Sequence, residues 1–153
     1  MIDQVRRALA RSSYCALATA SPDGGPHVVG VLYAFAKDHV YVITERNSRK
    51  VRDVEANPRV AICVPVRKYP LAPPFSIQFH GSAVVLNRED AEIEALLREG
   101  ALRKIVGFGV LERPGMCFIK VTPVGKIHTW GIGVSLWQLL RNPVGADRSV
   151  ALR

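Results

Sequence analysis

The sequence lacks any apolar run that approaches the roughly 18 residues needed to cross a bilayer, so it predicts no membrane-spanning segment. Its amino-terminal stretch, MIDQVRRALARSS, is amphipathic and too polar to form the apolar centre of a signal peptide. Both features argue against a membrane partner and favour a cytoplasmic protein.

Cysteine is scarce, and aromatic residues make up only 7% of the chain. The three cysteines, Cys15, Cys63 and Cys117, are widely spaced, and no CxxC or Cys/His ligand spacing occurs. The pattern predicts buried, reduced thiols and no metal site. Few aromatics and no recognisable nucleic-acid-binding motif argue against a nucleic-acid partner, although the net charge is +8.

Positive charge is concentrated in one part of the chain. Residues 46–68 hold seven basic side chains and two acidic ones, which accounts for five of the eight net charges. Such a cluster favours a localised anion site over a uniformly basic surface. The alternative, that each of these side chains is an ordinary solvated surface residue, stays open at this level.

Hydrophobic periodicity and turn residues divide the 153 residues into the elements of one domain. The predicted helices are 2–11, 49–56 and 88–105. The predicted strands are 14–20, 27–35, 39–44, 60–66, 75–86 and 116–130. The predicted connections include a hairpin at 36–38, a proline-rich loop at 67–74 and an interruption of the last strand at 123–125.

The order of these elements contains no repeated β-α-β alternation. It therefore argues against a doubly wound parallel sheet and favours a mainly β fold, a small antiparallel barrel with flanking helices, formed by residues 1–130. Residues 131–153 are a basic C-terminal tail with one helical turn, either part of the same domain or mobile.

The segment 41–64, YVITERNSRKVRDVEANPRVAICV, resembles the signature of the pyridoxamine 5'-phosphate-oxidase-like, FMN-binding split barrels. In that family a strand ends in Thr or Ser, Ser-Arg-Lys opens a short helix, and Asn-Pro-Arg-Val leads the next strand. The flanking strands YCALAT and PHVVGVLYAF agree with it, so the resemblance covers residues 2–129. It implies a six-stranded antiparallel split β-barrel that forms a homodimer, with the cofactor at the subunit interface.

Ten positions match the cofactor contacts of that family. The resemblance implies these roles: Ser48, Arg49 and Lys50 hold the phosphate; Thr44 and Glu45 lie near the ribityl chain or the ring edge; the backbone of Val29, Gly30 and Val31 lines the ring; Gln78 contacts the cofactor from the partner subunit; and Trp130 lies near the ring or the interface.

Physical chemistry also explains how the Ser48-Arg49-Lys50 motif could bind a phosphate. The start of a helix offers free backbone N–H groups and the positive end of the helix dipole. Ser48 adds a hydroxyl donor, Arg49 can fork onto two phosphate oxygens, and Lys50 acts as a point charge. The alternative is that Ser48 is only a helix cap and that Arg49 and Lys50 are only solvated.

The resemblance implies a flavin-nucleotide-binding oxidoreductase that transfers hydride to or from a small organic substrate. FMN is the expected cofactor, with the deazaflavin coenzyme, FAD and haem as alternatives, and a non-catalytic flavin or haem carrier or sensor is a further possibility. No histidine lies in a triad, so no catalytic residue is assigned, although His80 and His128 flank the expected ring region. The chain ends RNPVGADRSVALR, without the C-terminal Arg-x-His-type element of the pyridoxamine-phosphate oxidases, so vitamin B6 oxidase activity is not expected.

Overall fold

The computed structural model describes residues 1–71 and 75–152, and this part of the chain contains four α-helices and seven strands. The helices are α1 (Ile2–Arg11), α2 (Arg49–Ala56), α3 (Ala91–Arg98) and α4 (Leu136–Arg141). The strands are β1 (Tyr14–Ala20), β2 (Pro26–Ala36), β3 (His39–Glu45), β4 (Arg59–Val66), β5 (Phe75–Leu86), β6 (Met116–Trp130) and β7 (Asp147–Ala151). Of the predicted proline-rich loop, residues 72–74 lie outside the described residues. Among the described helices, none has the length and apolar character to cross a membrane.

Six of the strands form a closed barrel in the order β3-β2-β1-β4-β5-β6, and β6 returns to pair with β3. All of these pairings are antiparallel. The predicted six-stranded antiparallel barrel with flanking helices is confirmed, whereas the homodimer stays a prediction. β7 is an addition that pairs with the second half of β6, outside the closed ring.

The barrel interior is filled by the alternate side chains of each strand, as the period of two requires. On β1, Cys15 and Leu17 are completely buried, and the residues between them face outward. The helix α1 adds Val5 and Leu9, one turn apart on its buried face, and the Tyr33 hydroxyl donates a 2.8 Å hydrogen bond to the Leu9 carbonyl. This contact fixes α1 against β2.

A second, smaller apolar cluster lies outside the barrel, where α3 covers Tyr41 of β3 and Phe118 of β6. Here the predicted helix at 88–105 is wrong in extent: α3 spans only Ala91–Arg98. Asp90 caps its start, and Gly100, with φ +71, turns the chain after its end. Leu102 and Ile105 are buried although they lie in turns. Because their spacing in the sequence is the same as that of buried residues on a helix, the sequence predicts a longer helix than the structure contains.

Two connections differ in detail from the predictions. The β2–β3 hairpin has a two-residue loop, Lys37-Asp38, and both residues have positive φ, as in a type I′ turn. The predicted interruption of β6 at 123–125 is a local shift in register, not an end. One residue separates Gln78 from His80 on β5, whereas three separate their partners on β6, so β6 bulges by two residues.

The C-terminal segment contains more structure than one helical turn. Ser135 caps α4 by accepting a hydrogen bond from the Gln138 amide, and Leu139 is the buried residue of this helix. A 3₁₀ turn at Val144–Ala146 leads into β7, which pairs with β6 from Lys126 to Trp130. β7 is exposed over most of its length, so it carries no hydrophobic alternation that would reveal it in the sequence.

Candidate functional site

Within residues 1–71 and 75–152, one edge of β2 has no strand partner over most of its length. Residues 26–32 pair with β1, but pairing with β3 begins only at Tyr33, opposite Val42. Continuing that register by two residues would place Val31 level with Thr44, so the unpaired stretch of β2 lies beside the end of β3. Backbone N–H and C=O groups at such an edge need water, side chains or a ligand as partners.

The N-terminus of α2 follows directly after this end of β3. Ser48 is the N-cap residue, yet its hydroxyl makes no capping hydrogen bond and instead accepts one of 3.5 Å from the Thr44 hydroxyl. The first-turn amides of an α-helix have no partner within the helix and carry the positive end of its dipole. Free amides, two hydroxyls and an open strand edge therefore lie next to one another.

Arg49 and Lys50 are the cations that remain available at this helix end. Arg46 forms a 2.7 Å ion pair with Glu55, and Arg52 donates to the Asn47 carbonyl. Lys50, by contrast, has no ion pair or side-chain hydrogen bond within residues 1–71 and 75–152. Arg49 is half-exposed and lies 3.7 Å from a carboxylate of its own helix, a contact too long to occupy its donors.

Asp53 anchors α2 to the barrel. It is 5% exposed, and its Oδ2 accepts a 2.8 Å hydrogen bond from the hydroxyl of Thr19 at the end of β1. The same carboxylate is the partner of Arg49 at 3.7 Å. Arg49 also faces the β1–β2 turn, where the pKa of Asp23 is lowered mainly by the Ser21 hydroxyl and in part by the charge of Arg49.

His27 lies on β2 directly opposite Thr19, at the start of the unpaired edge. Its Nδ1 is buried and, within the described residues, has no hydrogen-bond partner. An unsatisfied buried polar atom costs about 1–3 kcal/mol, so a ligand oxygen or hydroxyl at this position would be stabilising. The available cations and the helix amides have the chemistry that a phosphate group requires, and His27 Nδ1 is a further polar atom without a partner within the described residues.

A second region lies on the outer surface of the sheet. One row of residues crosses five neighbouring strands there, in the order Gly30, Ala16, Cys63, Gln78 and His128. Ala16 and Cys63 line a cavity of about 250 Å³. A second cavity, of about 450 Å³, shares the lining residues Gln78 and His128 with the first and is also lined by Trp130. We call these two adjacent cavities together the outer groove.

The ring of Tyr14 lies directly over Gly30. A Cβ atom at Gly30 would stand 2.8–2.9 Å from two carbons of this ring and closer still to its hydroxyl, so only glycine allows the contact. Beside this pair, Val28 and Leu32 are 66% and 56% exposed, and Tyr14 itself is 51% exposed. Clustered apolar side chains of this kind are typical of a surface that another molecule covers.

The ten predicted site residues thus fall into two groups. The first combines the residues of β2, the end of β3 and the start of α2: Val29, Gly30, Val31, Thr44, Glu45, Ser48, Arg49 and Lys50. The second is Gln78 and Trp130 in the outer groove, where the Trp130 indole N–H donates a 3.2 Å hydrogen bond to the Pro143 carbonyl. Across residues 1–71 and 75–152, no hydrogen bond or ion pair joins the two groups.

Sequence reasoning missed three polar residues at this site: Thr19, His27 and Asp53. A threonine or histidine in a strand is usually an ordinary strand residue. An aspartate among the arginines of a short helix is expected to be exposed. Helical periodicity gives no signal for Asp53, because the residue lies about 100° around the helix from Val54 and about 200° from Val51, although the structure buries all three.

Comparison with known proteins places these features in a family. The family model described as pyridoxamine 5'-phosphate oxidase matches residues 1–125. A curated pyridoxine/pyridoxamine 5'-phosphate oxidase from Anaeromyxobacter dehalogenans is 36% identical over an alignment of 110 residues that covers 69% of this chain and 52% of the relative. This chain therefore matches only about half of the length of that relative.

Solved structures show the same fold at low sequence identity. HutZ, a haem storage protein from Vibrio cholerae, superposes with a TM-score of 0.70 and 18% identity, over 86% of this chain and 94% of its own. An FAD-binding protein from Mesorhizobium loti superposes with a TM-score of 0.66 and 22% identity, over 82% of this chain and 89% of its own. Because the family model covers most of the chain, the protein belongs to the pyridoxamine 5'-phosphate oxidase family.

Proposed function

We propose that this protein is a flavin-nucleotide-binding oxidoreductase that uses FMN and acts on a small organic molecule. One observation carries the proposal: the N-terminus of α2, with two available cations, lies beside the unpaired edge of β2. Family membership supports it, and so does the fold shared with an FAD-binding protein. Oxidation of a vitamin B6 phosphate is not part of the proposal, since the curated relative is matched over only about half its length.

The phosphate of the cofactor would lie at the start of α2, in a phosphate cradle formed by Ser48, Arg49 and Lys50. The helix amides and the Ser48 hydroxyl donate hydrogen bonds, while Arg49 and Lys50 neutralise the charge. Asp53 keeps α2 in place and limits the positions that Arg49 can take. The orphaned Nδ1 of His27 would meet a ribityl hydroxyl or a phosphate oxygen.

The ring of the cofactor would lie along the unpaired edge of β2. Val29, Gly30 and Val31 would contact it through their backbone, with Thr44 and Glu45 at its edge. When bound, a flavin supplies hydride transfer, and the protein contributes binding, orientation and exclusion of water. No side chain of the chain is assigned as a proton donor.

The homodimer belongs to the same proposal. The exposed apolar side chains of Tyr14, Val28 and Leu32 form a surface suited to a second copy of the chain. In such a dimer, Gln78 and Trp130 would approach the cofactor bound by the other copy, because they lie apart from the cradle of their own chain. The outer groove, about 450 Å³ beside Trp130, is large enough for a small organic substrate.

The visible absorption spectrum of the purified protein tests the proposal, together with mass spectrometry of the released cofactor. We expect the spectrum of an oxidised flavin and the mass of FMN. The double variant Arg49→Ala/Lys50→Ala should lose most of the bound cofactor. Arg52→Ala is the matched control, because it also removes a cation from α2. The guanidinium of Arg52 already donates a hydrogen bond to the Asn47 carbonyl. Stoichiometric cofactor in the double variant would contradict the cradle. Release of FAD or of the deazaflavin coenzyme would show that the cofactor is not FMN, but it would leave the proposed site unchanged.

Haem is the second candidate cofactor. His80 and His128, together with Cys63, line one cavity of the outer groove, and each is a side chain that can ligate haem iron. The fold is also shared with a haem storage protein. A haem-binding carrier would show a Soret band that His80→Ala or His128→Ala removes, and it would show no turnover with reduced nicotinamide. A flavin spectrum without a Soret band excludes this candidate.

A further inference from the structure

A groove lined by four cations lies at the end of the barrel away from the phosphate cradle. Arg7 and Arg11 of α1 form one wall, and Arg67 and Lys68, which follow β4, form the other. The groove has a volume of about 450 Å³, and none of the described residues that line it is acidic. We call it the basic groove.

None of the four cations forms an ion pair within the described ranges 1–71 and 75–152. Arg67 donates to the Pro70 carbonyl, and the Lys68 ammonium lies 5.5 Å from the centre of the Tyr69 ring. Arg7 and Arg11 are four residues apart on one face of α1, a spacing at which like charges repel. An anion between the two walls would relieve that repulsion and would meet four charges at once.

Part of the lining of the basic groove, which we call its floor, is apolar. It consists of Ala8, Val66, Phe75 and Ile132, and the uncharged polar residues Gln4 and Ser12 lie beside it. Phe75 and Ile132 are buried, whereas Ala8 and Val66 are partly exposed, and phosphate alone would leave these two in contact with water. Charged walls above an apolar floor instead fit an organic anion, with acidic groups at its rim and a flat apolar body.

The basic groove is separate from the phosphate cradle. It borders Ser12, before β1, and the end of β4 at Val66. The cradle's helix is instead anchored at Thr19, near the other end of β1. Ser12 and Thr19 are seven positions apart in extended chain, which corresponds to about 23 Å. One phosphate group therefore cannot occupy both places.

The basic groove borders the outer groove through one aromatic ring. Phe75 lines the basic groove, and its ring packs edge to face against Trp130, with 6.1 Å between the ring centres. Gly131, with φ +81, passes so close to Phe75 that an added Cβ would overlap the ring. A ligand on the Phe75 side would therefore act on a ring that is in contact with Trp130, a lining residue of the outer groove.

We propose that the basic groove binds a small organic anion with at least two acidic groups, carboxylate or phosphate, on an apolar body. This is a second binding site, distinct from the cofactor site, and it does not depend on the identity of the cofactor. Occupancy of the groove would be sensed at Trp130 through Phe75.

Calorimetric titration of the full-length protein with benzene-1,3,5-tricarboxylate tests the proposal, with citrate as a probe of equal charge that lacks the ring. We expect one site per chain, tighter binding of the aromatic probe than of citrate, and quenching or a shift of tryptophan fluorescence. Arg7→Ala/Arg11→Ala should weaken binding at least tenfold. Arg67→Ala/Lys68→Ala, on the opposite wall, should also weaken binding at least tenfold. This second variant tests the proposal even if Arg7→Ala/Arg11→Ala does not fold.

Two controls make the outcome decisive. Arg98→Ala/Arg103→Ala removes two exposed cations elsewhere, and Arg49→Ala/Lys50→Ala removes those of the cradle; both should leave the affinity within twofold of the parent. Equal weakening by Arg98→Ala/Arg103→Ala would mean attraction to net charge alone and would overturn the proposal. Loss of binding only in Arg49→Ala/Lys50→Ala would show that the anion binds in the cradle and not in the basic groove. Failure of the parent protein to bind the aromatic probe would also refute the basic groove as a binding site. A protein without flavin that still binds the probe would refute only the proposed function.

Discussion

The hydroxyl of Thr19 donates a buried 2.8 Å hydrogen bond to the carboxylate of Asp53, and this single contact joins the end of β1 to the middle of α2. Neither residue is more than 5% exposed. The helix that carries the proposed phosphate cradle is therefore positioned by a polar contact inside the protein, in addition to the packing of Val51 and Val54.

Thr19→Val should destabilise the protein by about 1–3 kcal/mol, because it keeps the shape of the side chain but leaves a buried carboxylate without its hydroxyl donor. Urea unfolding followed by circular dichroism measures the change. Ser21→Ala is the matched control: its hydroxyl bonds Asp23 in an exposed turn, and its loss should cost less than about 0.5 kcal/mol. Equal losses of stability in the two variants would show that the buried contact stabilises the protein no more than the exposed turn contact does.

Gly81→Ala and Gly30→Ala should differ in stability although both add one methyl group to a strand. At Gly81 the new Cβ would overlap Val121, which is completely buried, and would lie 3.1 Å from the Thr122 carbonyl oxygen. This overpacking should cost about 1–3 kcal/mol. At Gly30 the three nearest atoms all belong to the half-exposed ring of Tyr14, which can swing outward, so the cost should stay at about 0.5 kcal/mol. Thermal unfolding of both variants measures the difference, and a larger loss at Gly30 would contradict the expectation.

Glu92 should make the stability depend on pH. Its Oε1 accepts hydrogen bonds from the Lys120 ammonium at 2.6 Å and the Tyr41 hydroxyl at 2.7 Å, and these, in that order, lower the pKa of the carboxyl below its ordinary value of 4.5. A lowered pKa in the folded state means that the stabilisation is complete above about pH 4.5 and is lost as the pH falls through the folded-state value.

Glu92→Gln should therefore lower the free energy of unfolding at pH 7 by up to about 1 kcal/mol, a modest amount because the side chain is 39% exposed. The difference from the parent should shrink in urea titrations as the pH is lowered below 4.5. Glu94→Gln is the matched control, since Glu94 is in the same first turn of α3 but is exposed and, within the described residues, has no ion pair. A pH-independent difference for Glu92→Gln would contradict the electrostatic explanation.

The three cysteines should react with iodoacetamide at pH 8 in a fixed order. Burial raises the pKa of Cys15 to about 12 and also raises the pKa of Cys117, so both stay protonated and enclosed. Cys63 is only partly buried and faces the outer groove, so it should be modified first, as peptide mass spectrometry would show. If the homodimer covers this surface, modification of Cys63 should slow as the protein concentration rises. Early modification of Cys15 would contradict the placement of β1.

The sequence predicts those elements that carry a strong local signal. α1, α2, β5 and β6 have the predicted bounds, because caps, prolines and hydrophobic periodicity mark their ends. The end of α3 was not predictable from periodicity, since Leu102 and Ile105 are buried by turns that keep a helix-like spacing. β7 was invisible because an exposed edge strand needs no apolar alternation.

The candidate site was predictable only in part, for a similar reason. The motif identifies residues along the chain, such as Ser48 and Arg49, but the unpaired edge of β2 is a property of tertiary register. The buried Thr19–Asp53 contact spans 34 residues, and Nδ1 of His27 is orphaned only because of what surrounds it. Long-range relationships of this kind leave no pattern in a single sequence.

The strand β6 performs two tasks along its 15 residues: its first half pairs with β3 and its second half with β7. Thr44 and its partner Cys117 are 73 positions apart in the chain. The barrel therefore cannot close until the chain has been synthesised beyond Cys117. During translation, the β1–β2–β3 hairpins emerge first, with the β3 edge exposed and open to pairing with other chains. We expect closure by β6 to be the late, slow event in the folding of this protein.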